Sequence, residues 1–223
     1  MEKEPQIEHP KQYWETIREL EMEMFPEFKK EDIYGPENNS YFYFAPSWHF
    51  RSGLITENDV KNFLFDSSKK LLSIGSGAAF LEKLLVKLGI GKDNIVLSDI
   101  DPKDLPHSFK SKIIDMYSNW ADLGNEQYDL IIFPESVLIN RFDTDEQRQD
   151  GLYHIILQSL QHLLPNGIIR INGHSQAPWN IDAVIEKLKN EGCKIKIIST
   201  ENLIEVKNET SPNSVYEVQE KVR

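Results

Sequence analysis

The chain has 223 residues, 39% of them apolar, which suffices for one substantial domain with a real core and excludes a disordered chain. Lys and Arg number 25 against 36 Asp and Glu, a formal charge of −11, and no long basic cluster occurs, so nucleic acid is not expected as the main partner. A single cysteine, Cys193, rules out an intramolecular disulfide or a cysteine-cluster metal site, and the absence of a secretory pattern and of a bilayer-length apolar run predicts a cytoplasmic protein without a membrane segment.

Trp14, Ile17, Leu20 and Met24 recur at helical spacing and predict an amphipathic helix that ends by Pro26. Residues 26–55 have little periodicity but carry an aromatic run, Tyr41, Phe42, Tyr43, Phe44, Trp48, His49 and Phe50. Two readings stand for it, a lid over a site and a set of rings filling a satellite core. Thr56 and Asp59 have the spacing of a capping box before a short helix containing Val60, Phe63 and Leu64.

From residue 71 the pattern alternates. A buried strand at 71–74 is broken by Gly75 and Gly77, and a helix from about 80 follows with Leu81, Leu84, Leu85 and Leu88 on one face. A strand at 95–98, an irregular crossover containing Pro102 and Pro106, and a weak strand near Ile113 and Ile114 come next. The run 128–133 is the clearest strand. The helix after it, from about Asp145, is predicted to carry Leu152, Ile155, Ile156, Leu160, Leu163 and Leu164 on one face until Pro165, Asn166 and Gly167 stop it. A strand at 168–172, a helix with Ile181, Val184, Ile185 and Leu188, and two strands at 193–199 and 215–222 complete the chain, the last two without a helix between them. The expectation is an α/β, doubly wound, mostly parallel sheet whose end is antiparallel, preceded by an N-terminal helical extension. Residues 1–66 form a helical and aromatic cover, and residues 67–223 form the sheet domain.

The loops after the parallel strands then converge at one edge, around Gly75 to Ala79, Asp99 to Pro102, Asp115 to Tyr117, Pro134 to Ser136 and Gly173 to Ser175. Two glycines between a strand and a helix let a ligand approach the backbone beside the N–H groups of a helix N-terminus, although a tight turn alone also explains them. Phe80 stands where a dinucleotide fingerprint needs its third glycine, and no Gly-Lys-Ser/Thr follows, which disfavours nicotinamide and P-loop sites. Asp99, at the tip of the next strand, is placed to accept hydrogen bonds from a ribose diol. Asp115 suits either an adenine amino group or the N-cap of the segment after it. The histidines His9, His107, His154 and His162 show no metal-ligand spacing.

Taken together, LLSIGSGAAFLE, IVLSDIDP, IIDM, YDLIIFPESVL and LQHLLPNGIIRING resemble, in order and spacing, the motifs of the class I S-adenosylmethionine-dependent methyltransferases over roughly two thirds of the chain. The resemblance implies a seven-stranded Rossmann-like sheet with a C-terminal antiparallel hairpin and S-adenosyl-L-methionine as cofactor. It implies cofactor contacts at Ser73, Gly75, Ser76, Gly77, Asp99, Ile100, Asp115, Met116, Phe133 and Pro134. The chain departs from the family's common pattern at Ser73, where an acid is usual, and at Ala79, where a third glycine is usual; Phe-Pro-Glu-Ser also replaces the motif of the branch that methylates amino groups of bases or glutamine.

The implied activity is methyl transfer to a small molecule. Tyr41, Tyr43, Trp48, Phe50 and Arg51 are the candidate substrate or lid residues, and His174 and Glu135 are the candidate proton acceptors. Two other readings remain at this stage, aminocarboxypropyl transfer from the same cofactor as in nicotianamine synthase-like enzymes, and a non-catalytic cofactor-binding or interaction module.

Overall fold

In the computed structural model, which describes residues 11–26, 46–101, 103, 105–134, 142–172, 182–191, 194–199 and 214–219, the apolar runs become neighbouring strands. β1 (Leu71–Ile74), β2 (Ile95–Asp99), β3 (Lys110–Ile113), β4 (Tyr128–Phe133) and β5 (Leu163–Asn172) run parallel to one another. β6 (Lys194–Ser199) and β7 (Ser214–Gln219) join antiparallel, in the order β3-β2-β1-β4-β5-β7-β6.

Side chains of a strand alternate between its two faces, so each central strand feeds two cores. On one face Leu71, Ile95, Leu97, Leu130 and Ile132 pack with α1 (Lys11–Met24), α2 (Pro46–Arg51), α3 (Glu57–Phe65) and α4 (Phe80–Lys87), which contribute Ile17, Phe50, Val60, Phe63, Leu81, Leu84 and Leu85. On the other, Leu72, Ile74, Val96, Ile131, Phe133, Ile169 and Ile171 pack with α5 (Asp145–Gln161) and α6 (Asp182–Asn190). Each fully buried aliphatic side chain contributes about 1.5–3 kcal/mol, so this two-sided burial drives the architecture.

The first three helices are anchored by polar groups as well. The predicted capping box forms: Asp59 N donates to Thr56 Oγ1 at 3.2 Å and Thr56 N donates to Asp59 Oδ2 at 2.7 Å. Arg170 of β5 reaches across to the same carboxylate and also donates to Leu54 O at 3.3 Å. Glu21 of α1, completely buried, accepts from Ser47 N and Ser47 Oγ, both at 2.7 Å, and so holds the start of α2.

Two elements differ from the sequence expectation. α5 ends at Gln161, and Leu163 and Leu164 leave its apolar face to begin β5. Pairing of Leu163 with Tyr128 wins over the helical period because it buries Leu163 in the sheet core while the backbone stays bonded, Tyr128 N donating to His162 O at 2.9 Å. Pro165, Asn166 and Gly167 then sit within β5, where the register shifts. Gly167 is required there, since a Cβ would lie 2.7 Å from the Leu163 side chain and 2.9 Å from Leu164 O. β3, for its part, is a lysine-flanked edge strand in which Ile113 is 54% exposed, while Ile114, just beyond it, is buried. Among the described residues no helix is long and apolar enough to cross a membrane.

Candidate functional site

β1 runs into a turn whose backbone suits glycine: Gly75 and Gly77 have φ of 72° and 49°. Ala79 follows in the same left-handed region at 56°, which costs a residue with a Cβ about 1 kcal/mol, and it gives α4 no side-chain cap. The turn is pinned to β2. Gly75 N and Ser76 N both donate to Ser98 O, at 2.8 and 3.0 Å, and Gly77 N donates to Asp99 Oδ2 at 2.9 Å.

Asp99 is held from its own side too, its Oδ1 accepting Ile100 N at 2.7 Å and Asp101 N at 3.3 Å. Its backbone carbonyl accepts Ile114 N at 3.1 Å, which brings the third loop to the same place. A carboxylate has about four acceptor positions, so Oδ2 retains capacity for a ligand hydroxyl. Beside it Ile100 is 57% exposed, a flat apolar surface next to an acceptor. The strand order reverses at β1, with β2 and β3 on one side and β4 and β5 on the other, and the crevice at such a reversal is where open α/β sheets bind ligands.

Under the turn lies a group that sequence reasoning missed. Glu82, in the first turn of α4, is completely buried, and its Oε1 accepts the hydroxyl of Ser73, two residues before Gly75. Its Oε2 is buried with no hydrogen-bond partner, as is Ser98 Oγ. Burial pushes the Glu82 carboxyl up to about 7, against the lowering effect of the Ser73 bond. His49 of α2, the polar member of the aromatic run, is also buried, and desolvation lowers it to about 3, so it is a neutral ring. The sequence signal for Glu82 is slight: a carboxylate one turn before Leu85, at the border of an apolar helical face.

No family model matches the chain, and no curated protein matches it in sequence. Solved structures do match in fold. An S-adenosylmethionine-dependent methyltransferase from Clostridium acetobutylicum aligns over 82% of this chain and 99% of its own with a TM-score of 0.52 at 15% identity. A TehB-like methyltransferase from Corynebacterium glutamicum gives 0.50 over 84% and 100% at 18% identity. The CurJ carbon methyltransferase gives 0.52 over 91% and 61% at 14% identity. The fold is that of the class I S-adenosylmethionine-dependent methyltransferases.

Within this methyltransferase fold the predicted site residues fall into three groups. Ser73, Gly75, Ser76, Gly77, Asp99 and Ile100 are brought together by the hydrogen bonds above. Asp115 and Met116 lie on the adjacent loop, where Asp115 Oδ1 accepts Tyr117 N at 3.1 Å and Met116 O accepts Trp120 Nε1 at 3.2 Å. That short turn leads to a 3-10 turn at Ala121–Leu123 and not to an α-helix. Phe133 and Pro134 close β4 on the far side of β1, both buried, with the Phe133 ring in the sheet core.

Of the aromatic candidates, Trp48 and Phe50 are 5% and 2% exposed, and Phe50 belongs to the core shared with α4, meeting Tyr13 edge-on at 6.3 Å between ring centres. This is the packed arrangement among the two readings of the run, for these two rings. Arg51 ends α2, but its side chain, like Tyr41, Tyr43, Glu135 and His174, lies outside the described residues. Among the described residues no cluster of His, Cys, Asp and Glu has the arrangement of a metal site.

Proposed function

We propose that the chain is an S-adenosylmethionine-dependent methyltransferase acting on a small molecule. The observation that carries the reading is the positive-φ turn after β1, tied through Gly77 N to the Asp99 carboxylate at the point where the strand order reverses. The residues fit the group: Asp99 has acceptor capacity for a ribose diol, Ile100 offers an apolar surface beside it, and Gly75, Ser76 and Gly77 let a ligand meet the backbone. Asp115 and Met116 are assigned to the adenine side, and Phe133 and Pro134 to the wall across from β1. The similarity in fold to methyltransferases supports the chemistry, and the charge of −11 favours a small molecule over nucleic acid.

Bound, S-adenosylmethionine supplies a methyl group already activated by a sulfonium, so the protein's work is to orient an acceptor in line with it and to keep water out. The core formed by α1, α2 and α3 covers that face of the sheet and is assigned the water-excluding role. Where an acceptor must lose a proton, Glu135 and His174, following β4 and β5, are the assigned acceptors.

The reading is tested by calorimetric titration with S-adenosylmethionine and S-adenosylhomocysteine. Binding in the micromolar range is expected; no binding of either at millimolar concentration overturns it. Asp99→Ala, which removes both the ribose acceptor and the tie to Gly77, is expected to weaken binding at least about tenfold. In turnover, release of S-adenosylhomocysteine identifies methyl transfer, whereas release of methylthioadenosine identifies aminocarboxypropyl transfer.

A further inference from the structure

We propose that His154 and Gln158 of α5 are positioning residues that hold Asp115 and Met116 in the arrangement that selects the base of the cofactor. The inference rests on the cofactor reading above and deepens it, since it says what fixes the adenine side of the site and which part of the ligand is selected there.

His154, Gln158 and His162 stand four residues apart, so α5 and its cap place them one above another on one face, and all three meet the chain that follows β3. His154 Nε2 lies 3.0 Å from Ser118 O, and since a carbonyl only accepts, Nε2 carries the proton and donates it. Ser118 donates in turn to Asp115 O, from its N at 2.9 Å and from its Oγ at 2.8 Å. Gln158 Oε1 accepts Trp120 N at 3.4 Å, and the Trp120 ring stacks on His162 at 6.1 Å between ring centres. Trp120 Nε1 then donates to Met116 O at 3.2 Å. Two short relays therefore run from α5, one ending on Asp115 and the other on Met116. The next residue, Tyr117, is tied to the same helix end by its edge-on contact with Phe142 at 5.0 Å.

A helix face that only satisfied a buried loop would account for Gln158 and His162, because Trp120 is buried. It does not account for His154. Ser118 is exposed, and its carbonyl has water as a ready partner, so burial does not demand the bond. What the bond adds is direction: with Ser118 O held on one side and Asp115 Oδ1 held by Tyr117 N on the other, the turn has one arrangement. An acceptor discriminates between donors only at hydrogen-bond distance and angle, so order in this turn becomes selectivity for the base. Adenine presents an amino donor where hypoxanthine presents a carbonyl oxygen, and a carboxylate accepts from the first and repels the second.

The test is calorimetric titration of the intact chain with S-adenosylhomocysteine and S-inosylhomocysteine, which differ only at that edge of the base. The unaltered chain is expected to favour the adenine probe at least about tenfold. His154→Leu and Gln158→Met, which each remove one tie, are expected to lower that preference about threefold to fivefold by weakening the adenine probe, with the inosine probe within about twofold. His154→Gln keeps a side-chain donor and Gln158→Glu keeps an acceptor, so both are expected to stay within about twofold of the unaltered preference. The unfolding midpoint of His154→Leu is expected within about 3 °C of the unaltered chain, since a surface bond contributes little to stability.

A preference that survives in either His154→Leu or Gln158→Met, or a loss shared equally by both probes, overturns the proposal and leaves the helix face a structural brace. A His154→Gln chain that behaves as His154→Leu overturns it too. Equal binding of the two probes by the unaltered chain overturns it while leaving the cofactor reading intact. If the unaltered chain binds neither probe, the cofactor reading itself fails and this one with it. Should Gln158→Met, beside the buried Trp120, not fold, the two His154 variants decide the matter by the same criteria.

Discussion

Asp59 and Glu82 are buried carboxyl groups on the same face of the sheet, and the protein surrounds them differently. Asp59 Oδ2 takes the backbone N–H and hydroxyl of Thr56, at 2.7 and 2.6 Å, and the guanidinium of Arg170. Glu82 takes one hydroxyl and leaves an oxygen empty. A satisfied buried charge reads as architecture, since it welds α3 to β5 with its partners supplied by the chain. A half-satisfied one with no cation beside it in the core, among the described residues, answers differently, and burial holds its proton on up to about pH 7.

The largest expected effect breaks the satisfied member. Arg170→Met leaves Asp59 buried without its cation and is expected to cost about 3 kcal/mol in urea unfolding, most of it recovered in the double variant with Asp59→Asn. A loss below about 1 kcal/mol, or no recovery, would remove the contrast between the two sites.

The pH dependence sharpens the other member. Burial lifts Glu82 from 4.5 to about 7, so between those values the native state keeps a proton that the unfolded chain has lost. Stability from the neutral carboxyl is therefore full below about pH 4.5 and declines as pH rises to about 7. Relative to Glu82→Gln, the unaltered protein should lose about 3 kcal/mol across that window and stay level above it. His49 has the opposite sign. Lowered from 6.5 to about 3, it adds stability above pH 6.5 that is lost as pH falls towards 3. Where the windows overlap the slopes oppose, so unfolding curves of Glu82→Gln and His49→Phe from pH 4 to 8 should be steeper than those of the unaltered chain, in opposite directions. A parallel set of three curves would refute both shifts.

The smallest effect concerns a third buried acid. Ser47→Ala removes one of the two Ser47 donors to Glu21, which burial already raises above the ordinary carboxylate range. A loss of about 1 kcal/mol in thermal unfolding is expected, with α2 loosened and cofactor affinity unchanged.

The alternation of apolar strands with amphipathic helices was legible because each run carries its own period: 71–74 and 128–133 are short runs with a single polar residue each, Ser73 and Asp129, and the helix at Phe80–Lys87 places Leu81, Leu84 and Leu85 on one face. The same local rule misplaced Leu163, whose spacing continues the helix while its pairing with Tyr128, thirty-five positions earlier, does not show in sequence. Glu82 was passed over for a similar reason. One acid at the rim of an apolar stripe looks solvent-facing until the strand that packs on it is known, and that strand offers Ser73.

By itself, then, the sequence determined the α/β order, the glycine turn after β1 and the acid at the tip of β2, since these depend on residue type and short spacing. The tertiary structure alone decided which acids are buried, which are paired and that Ser73 meets Glu82, because burial and charge pairing depend on segments that are distant in the chain. The glycine turn marks where a ligand can come close, and the packing beneath it shows why Glu82 keeps its proton.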